Sequence, residues 1–245
     1  MILPFSFHFY GLFIALGLIF VYLYLKENSK RFNLPFSLVE SGYLFGVFFA
    51  ILGARAYHVL SSFPYYFNHP LRIFFVWEGG LGIFGLIFGV FWGLFVFSKF
   101  KKIDLWNLLN LFFPPLLVAQ ALGRIGNFVN YEGFGQPTNL PWKVFIPIIF
   151  RPARYISYSY FHPTFFYESF LCLIAFFLYF FLRKRLKRND FGFAYYLVAY
   201  GLIRFFTEFF RLDTWTIYSF KIAYLLSFLL VILGLVVFKL KKSYD

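Results

Sequence analysis

Arg124, Asn127, Asn130 and Glu132 fall within one short stretch, GRIGNFVNYEGFG, at residues 123–135. Arginine carries a permanent planar charge suited to phosphate or carboxylate, asparagine offers a neutral donor and acceptor, and glutamate orients an arginine or takes up a proton. Together they suit the grip of a phosphate headgroup, and Gly123, Gly126, Gly133 and Gly135 are expected to allow a tight backbone around it. A second group lies in YGLIRFFTEFFR, where Tyr200, Arg204, Glu208 and Arg211 recur at helical spacing and share one expected face. Two readings of that face are open. Either Arg204 and Glu208 neutralise each other as an i,i+4 ion pair, or one guanidinium is left to meet an anion.

His162 stands before Pro163 in HPTFFYES, so helix is disfavoured at the histidine and a span is expected to begin just after it. Glu168 then sits about one turn into that span. His162 itself reads as a general base or as a hydrogen-bonded structural residue. Cys172 is the one cysteine, and no second histidine or cysteine stands at ligand spacing. Neither a disulfide framework nor a metal site is expected, and no cofactor.

The elements that must position these groups are membrane helices. The chain has 245 residues, of which 61% are hydrophobic, and a mean hydropathy of +0.73, far outside soluble composition. Its 43 phenylalanines are read as lipid contact and helix packing rather than as an aromatic cofactor box. The fold class is all-α: a polytopic integral membrane protein of about seven transmembrane helices, forming a single domain over residues 1–245. The spans are drawn at residues 6–25, 38–60, 81–98, 104–122, 165–182, 192–210 and 219–238. The first has no basic leader and no small-residue cleavage site, so it reads as a retained helix. Small residues line one face of the second span (Gly42, Gly46, Ala50, Gly53) and of the third (Gly82, Gly85, Gly89, Gly93), the pattern of close helix packing. Residues 123–164, rich in proline and tyrosine, are expected to form a small extracytoplasmic cap.

A net charge of +13 raises the question of nucleic acid, and the positions of the charges answer it. Lys26, Lys30 and Arg31, then Lys99, Lys101 and Lys102, then the run from Arg183 to Arg188, then Lys239, Lys241 and Lys242 all follow alternate spans. The positive-inside rule places them in the cytoplasm, with the N-terminus outside and the C-terminus inside, as membrane-lipid anchors rather than nucleic-acid contacts. Arg55, Glu78, Arg124, Glu132, Glu168, Arg204, Glu208, Arg211 and Asp213 are left over, all toward the outer ends of spans. Ionisable groups near hydrocarbon are costly and mark functional sites.

At these residues the sequence resembles the prolipoprotein diacylglyceryl transferase family. Residues 123–135 resemble its signature G-R-x-G-N-F-x-N-x-E-x-x-G, supported in order by YG at Tyr10 and Gly11, GAR at Gly53 to Arg55, WEGGL at Trp77 to Leu81, HPTFFYE and YGLIRFFTEFFR. The resemblance implies a bacterial inner-membrane enzyme with an extracytoplasmic active site. It would transfer the diacylglyceryl group of phosphatidylglycerol to the lipobox cysteine of a preprolipoprotein. Matching positions imply Arg124 and Arg204 as catalytic residues. Substrate-binding roles fall on Tyr10, Arg55, Asn127, Asn130, Glu132, Gly135, His162, Tyr200, Glu208 and Arg211. Phe84 stands where many members carry a histidine, and Phe165 where they carry a glutamine. Two alternatives stay open: an anionic-lipid transporter or scramblase, which requires charges through the inner half of the bundle, and an inactive lipid-binding relative. The spans hold few such inner charges.

Overall fold

Lipid offers the backbone no hydrogen-bond partner, so apolar runs of this length must satisfy their own polar groups as helices. The computed structural model describes residues 9–76, 79–212, 214–218 and 220–242, and it is mostly helical. The helices are α1 (Phe9–Asn28), α2 (Phe36–Ser61), α3 (Phe63–Asn68), α4 (Ile83–Lys101), α5 (Leu105–Phe112), α6 (Leu116–Val129), α7 (Thr164–Leu186), α8 (Gly192–Glu208) and α9 (Ile222–Lys242). Among the described residues, six helical segments are long and apolar enough to cross a bilayer: Tyr10–Phe32, Phe36–Ser61, Ile83–Lys101, Leu105–Val129, Thr164–Leu186 and Ile222–Leu240. The protein is a polytopic membrane protein. The span expected over residues 192–210 is the 17-residue α8, at the short end of what reaches across hydrocarbon.

Three helix ends that carry basic clusters stop in the same way. Asn33, Lys102 and Lys187 each adopt a left-handed conformation there, at φ 54°, 54° and 52°. Such a residue turns the chain out of the helix and brings its last carbonyls to new donors, as when Lys102 N–H donates to Ser98 O.

The chain divides into two compact units, Leu25–Leu111 and Met1–Tyr24 with Phe112–Asp245. In the first unit α2 packs along α4 through glycine. A Cβ at Gly53 would strike the Gly85 carbonyl, and one at Gly89 would strike the Phe49 carbonyl, so these backbones touch without side chains between them. Gly82 lies just before α4, against the Tyr57 ring. Trp77 and Glu78 of the WEGGL motif lie outside the described residues.

In the second unit the expected span over residues 104–122 meets a break. Pro114 and Pro115 supply no N–H to a helix ladder, and α6 starts afresh at Leu116. It then runs beyond residue 122 to Val129, so Arg124 and Asn127 are helical rather than part of an irregular loop. α6 packs on α7, α7 on α8, and α8 on α9. Gly126 admits the Tyr10 ring of α1, and Gly17 of α1 lies against Ala119. Between α6 and α7 the cap is a small β structure, with β1 (Val144–Phe145) antiparallel to β2 (Tyr160–Phe161). Its own core is Phe134, Ile146, Phe161 and Phe165, the last contributed by the first turn of α7, so the cap is bolted to a helix.

Candidate active site

α6 delivers Arg124 and Asn127 one turn apart, and Arg124 Nη1 donates to Asn127 Oδ1 at 3.0 Å. The helix closes in a Schellman motif: Tyr131 is left-handed at φ 55°, Tyr131 N–H donates to Phe128 O, and Glu132 N–H donates to Asn127 O at 2.9 Å. Asn130 is the C-cap. A tyrosine at the position where glycine usually sits hides this helix end from a reading based on residue type.

α7 contributes the centre. Glu168 is 1% exposed, and its Oε1 accepts from Arg124 Nη2 at 2.9 Å and from Tyr200 Oη at 3.1 Å. Its Oε2 faces Arg204 Nη1 at 3.6 Å and Arg211 Nη1 at 3.9 Å, so the carboxylate draws these two through space at longer range. Arg204 Nη2 also lies 2.7 Å from Glu208 Oε2. Three guanidiniums thus meet the buried carboxylates of Glu168 and Glu208. The Arg204–Glu208 pair expected along α8 is present, yet it does not silence the face, because Arg124 and Arg211 join from other segments.

Arg211 arrives by an unexpected route. α8 ends at Glu208, so Arg211 is not on the helical face with Tyr200, Arg204 and Glu208. An isolated antiparallel bridge pairs Arg211 with Gly135, and Gln136 N–H donates to Phe210 O at 2.8 Å. Gly135 permits this: a Cβ would come within 2.5 Å of Phe210 O and 2.7 Å of Thr164 Cγ2. Gly133, at φ +66°, places its backbone against the Arg211 guanidinium and its carbonyl on the Thr164 hydroxyl.

Behind the charges lies a buried polar ladder. Gln120 Nε2 donates to Tyr196 Oη at 2.6 Å, and the Tyr196 ring stacks on Tyr200 at 5.8 Å. Tyr200, expected to contact lipid, is fully buried and directs its hydroxyl to Glu168 instead. At the end of α8, Lys221 Nζ donates to the carbonyls of Glu208 and Arg211, each at 2.8 Å, where a helix C-terminus favours a cation. Burial lowers the Lys221 pKa, Glu208 opposes that shift, and Arg204 and Arg211 add to it.

Of the remaining expected residues, Tyr10 lies within electrostatic reach of Arg124 and Glu132. Glu132 is exposed. His162 Nδ1 lies 3.1 Å from Tyr167 Oη, and burial lowers its pKa, which favours the neutral ring. Its carbonyl accepts from Gly135 N–H at 2.8 Å. Arg55 belongs to the other unit. There it donates to the carbonyls of Arg72, Ile73, Gly79 and Gly80 and lies over the Tyr66 ring at 5.2 Å. Asp213 lies outside the described residues.

Glu168 is the residue the sequence reading left without a role. The signal was a polar stripe on α7, with Thr164, Glu168 and Cys172 at i, i+4 and i+8, all buried.

The family model of prolipoprotein diacylglyceryl transferase matches residues 1–240. The chain is 38% identical to the phosphatidylglycerol--prolipoprotein diacylglyceryl transferase of Fervidobacterium nodosum, over 94% of this chain and 80% of that protein. It is 42% identical to the Synechocystis protein of the same name over 76% of this chain and 68% of that one. Against the Lactococcus lactis protein of that name it is 39% identical, over 98% of this chain and 93% of the relative.

Proposed function

The chain belongs to the prolipoprotein diacylglyceryl transferase family, and on that premise we propose how its arginine site works. The protein is a membrane transferase that moves the diacylglyceryl group of phosphatidylglycerol to a prolipoprotein. The acceptor is the lipobox cysteine thiol. Its thiolate attacks the diacylglycerol carbon bonded to the phosphate oxygen, a C–S bond forms as the C–O bond breaks, and the electron pair leaves with glycerol 1-phosphate.

The observation that carries this reading is the convergence of Arg124, Arg204 and Arg211 on one buried carboxylate. A phosphate leaving group gains charge as the C–O bond breaks, and fixed cations stabilise that charge without reorganising. The same cations favour thiolate over thiol, whose ordinary pKa of about 8.5 leaves it largely protonated at neutral pH. Arg124, with 14% of its side chain exposed, is the most open of the three and the group that takes the phosphate. Arg204 and Arg211 supply field, Glu168 and Glu208 hold them apart, and Asn127 and Glu132 contact the headgroup. Tyr200 acts through Glu168. Phe84 has no proton to move, so the thiolate in this chain relies on the arginines.

We assign seven crossings, counting α8, with the N-terminus outside, the C-terminus cytoplasmic and the site extracytoplasmic in the bacterial inner membrane. The basic clusters after alternate spans support that assignment. Purified protein incubated with phosphatidylglycerol and a lipobox peptide is expected to yield a thioether-linked diacylglyceryl peptide by mass spectrometry. A folded, lipid-binding preparation that forms none would overturn the transferase reading.

A further inference from the structure

The cap carries apolar side chains that its own core does not use. From Pro147 to Pro152 the backbone makes a short 3₁₀ turn, Ile148–Phe150, and this turn points outward. Ile149 is 80% exposed and Ile148 58%, while the Phe150 ring beside them stacks on Tyr131 at 5.0 Å; before β1, Trp142 is 56% exposed. Two adjacent isoleucines held out at a loop tip are costly in water, so they mark a contact.

The tip is built rather than loose. Arg151 Nε donates to Ile146 O at 2.8 Å, and Arg151 Nη1 donates to Ile156 O at 3.0 Å, so one guanidinium ties both legs of the loop together. Ile146 is itself rooted in the cap core. Trp142 is fixed at its polar edge, where Nε1 donates to Tyr167 Oη at 2.7 Å, leaving the rest of the indole outside.

The charges around the tip name its partner. Between Gly133 and Tyr167 the sequence has Lys143, Arg151 and Arg154 and no aspartate or glutamate. Exposed isoleucines in a segment whose only charges are basic match an anionic lipid–water interface: acyl chains take the apolar tip and headgroups take the cations.

We propose that residues 142–156 form a rigid finger, braced by Phe150 on Tyr131, that dips Ile148 and Ile149 into an anionic leaflet, with Lys143 and Arg154 on its headgroups. The finger would seat the cap at the depth where lipid headgroups lie. Its insertion into lipid is a property separate from the transferase chemistry, so either can fail alone.

The test uses the full chain in nanodiscs, one copy per disc, with Ile149→Cys labelled by an environment-sensitive fluorophore. Cys172 is fully buried and does not compete for label. In discs of phosphatidylglycerol and phosphatidylcholine, the label at position 149 is expected to shift to the blue, to be quenched by shallow nitroxide lipids, and to be several-fold less open to iodide than a label at exposed Asn139. Charge reversal of Lys143 and Arg154 together is expected to weaken lipid quenching most in phosphatidylglycerol-rich discs. Open access to iodide without nitroxide-lipid quenching would overturn the proposal. So would protection that appears only when a lipobox peptide is added. Transferase activity measured on the same discs reports separately on the arginine site.

Discussion

Two buried arginine sites in this protein have opposite surroundings. Arg55, in the Leu25–Leu111 unit, is held by four main-chain carbonyls and an aromatic ring. Arg124, Arg204 and Arg211, in the other unit, converge on one shared carboxylate, Glu168, with Glu208 beside it. Carbonyls satisfy a guanidinium's donors while leaving its charge uncancelled, and they stitch distant backbone into one place. A carboxylate cancels charge as well as satisfying donors, and guanidiniums that share one carboxylate keep more of their field for an anion. The first arrangement organises a loop; the second is suited to chemistry on phosphate.

The comparison breaks most visibly at Glu168. Glu168→Gln removes the carboxylate that faces all three cations, and uncompensated buried charge costs about 3–5 kcal/mol. Thermal unfolding in detergent is expected to drop sharply together with activity. A variant of unchanged stability would mean that the arginines do not depend on this residue. Arg124→Ala leaves Glu168 facing Arg204 and Arg211 and should lower kcat per folded molecule by about 10²–10³-fold, the cost of one lost donor to developing charge. Initial rates with phosphatidylglycerol and a lipobox peptide decide it, and near-normal turnover would remove Arg124 from the chemistry.

Arg55→Met sharpens the contrast from the other side. It strands several carbonyls, at about 1–3 kcal/mol for each buried group left unsatisfied, so stability should fall by a larger factor than turnover per folded molecule. Lost turnover at full stability would instead make Arg55 a substrate contact, as the family motif implies. The smallest effect belongs to His162, which bears on the edge of the arginine site through its carbonyl. Its pKa is lowered by burial below the ordinary 6.5, so the unfolded chain takes up the proton first on acidification. Its contribution to stability is complete above pH 6.5 and declines as pH falls toward the folded value. His162→Asn should flatten that shallow acid slope in melting temperature, measured from pH 5 to 8.

The comparison also explains what could be read in advance. Arg124, Asn127, Arg204 and Glu208 were legible because one helix holds each pair at i,i+3 or i,i+4, a spacing written directly in the chain. Glu168 was legible as a costly charge but not as a hub, because its importance comes from three segments meeting. Periodicity alone places Arg211 on the α8 face, whereas the helix ends three residues earlier and a bridge to Gly135 delivers the side chain. The small-residue faces of α2 and α4 pack as their spacing indicates. The break at Pro114 was visible in residue type, yet the apolar run masked it. The β pairing in the cap rests on two residues per strand, too short for any alternation to show.

The separation of Arg124 from Glu168 along the chain has a consequence for biosynthesis. The two partners are 44 positions apart, so at about 5–20 residues per second the ribosome delivers the carboxylate roughly 2–9 s after the arginine. Through that interval a nascent α6 ends in a cation whose eventual counter-ion does not yet exist. An arginine at mid-membrane would make that wait expensive; one near the last turns of a helix can remain in the headgroup layer until α7 emerges. The placement that suits the proposed grip on a lipid phosphate is also one that the insertion machinery can tolerate while the enzyme is half made.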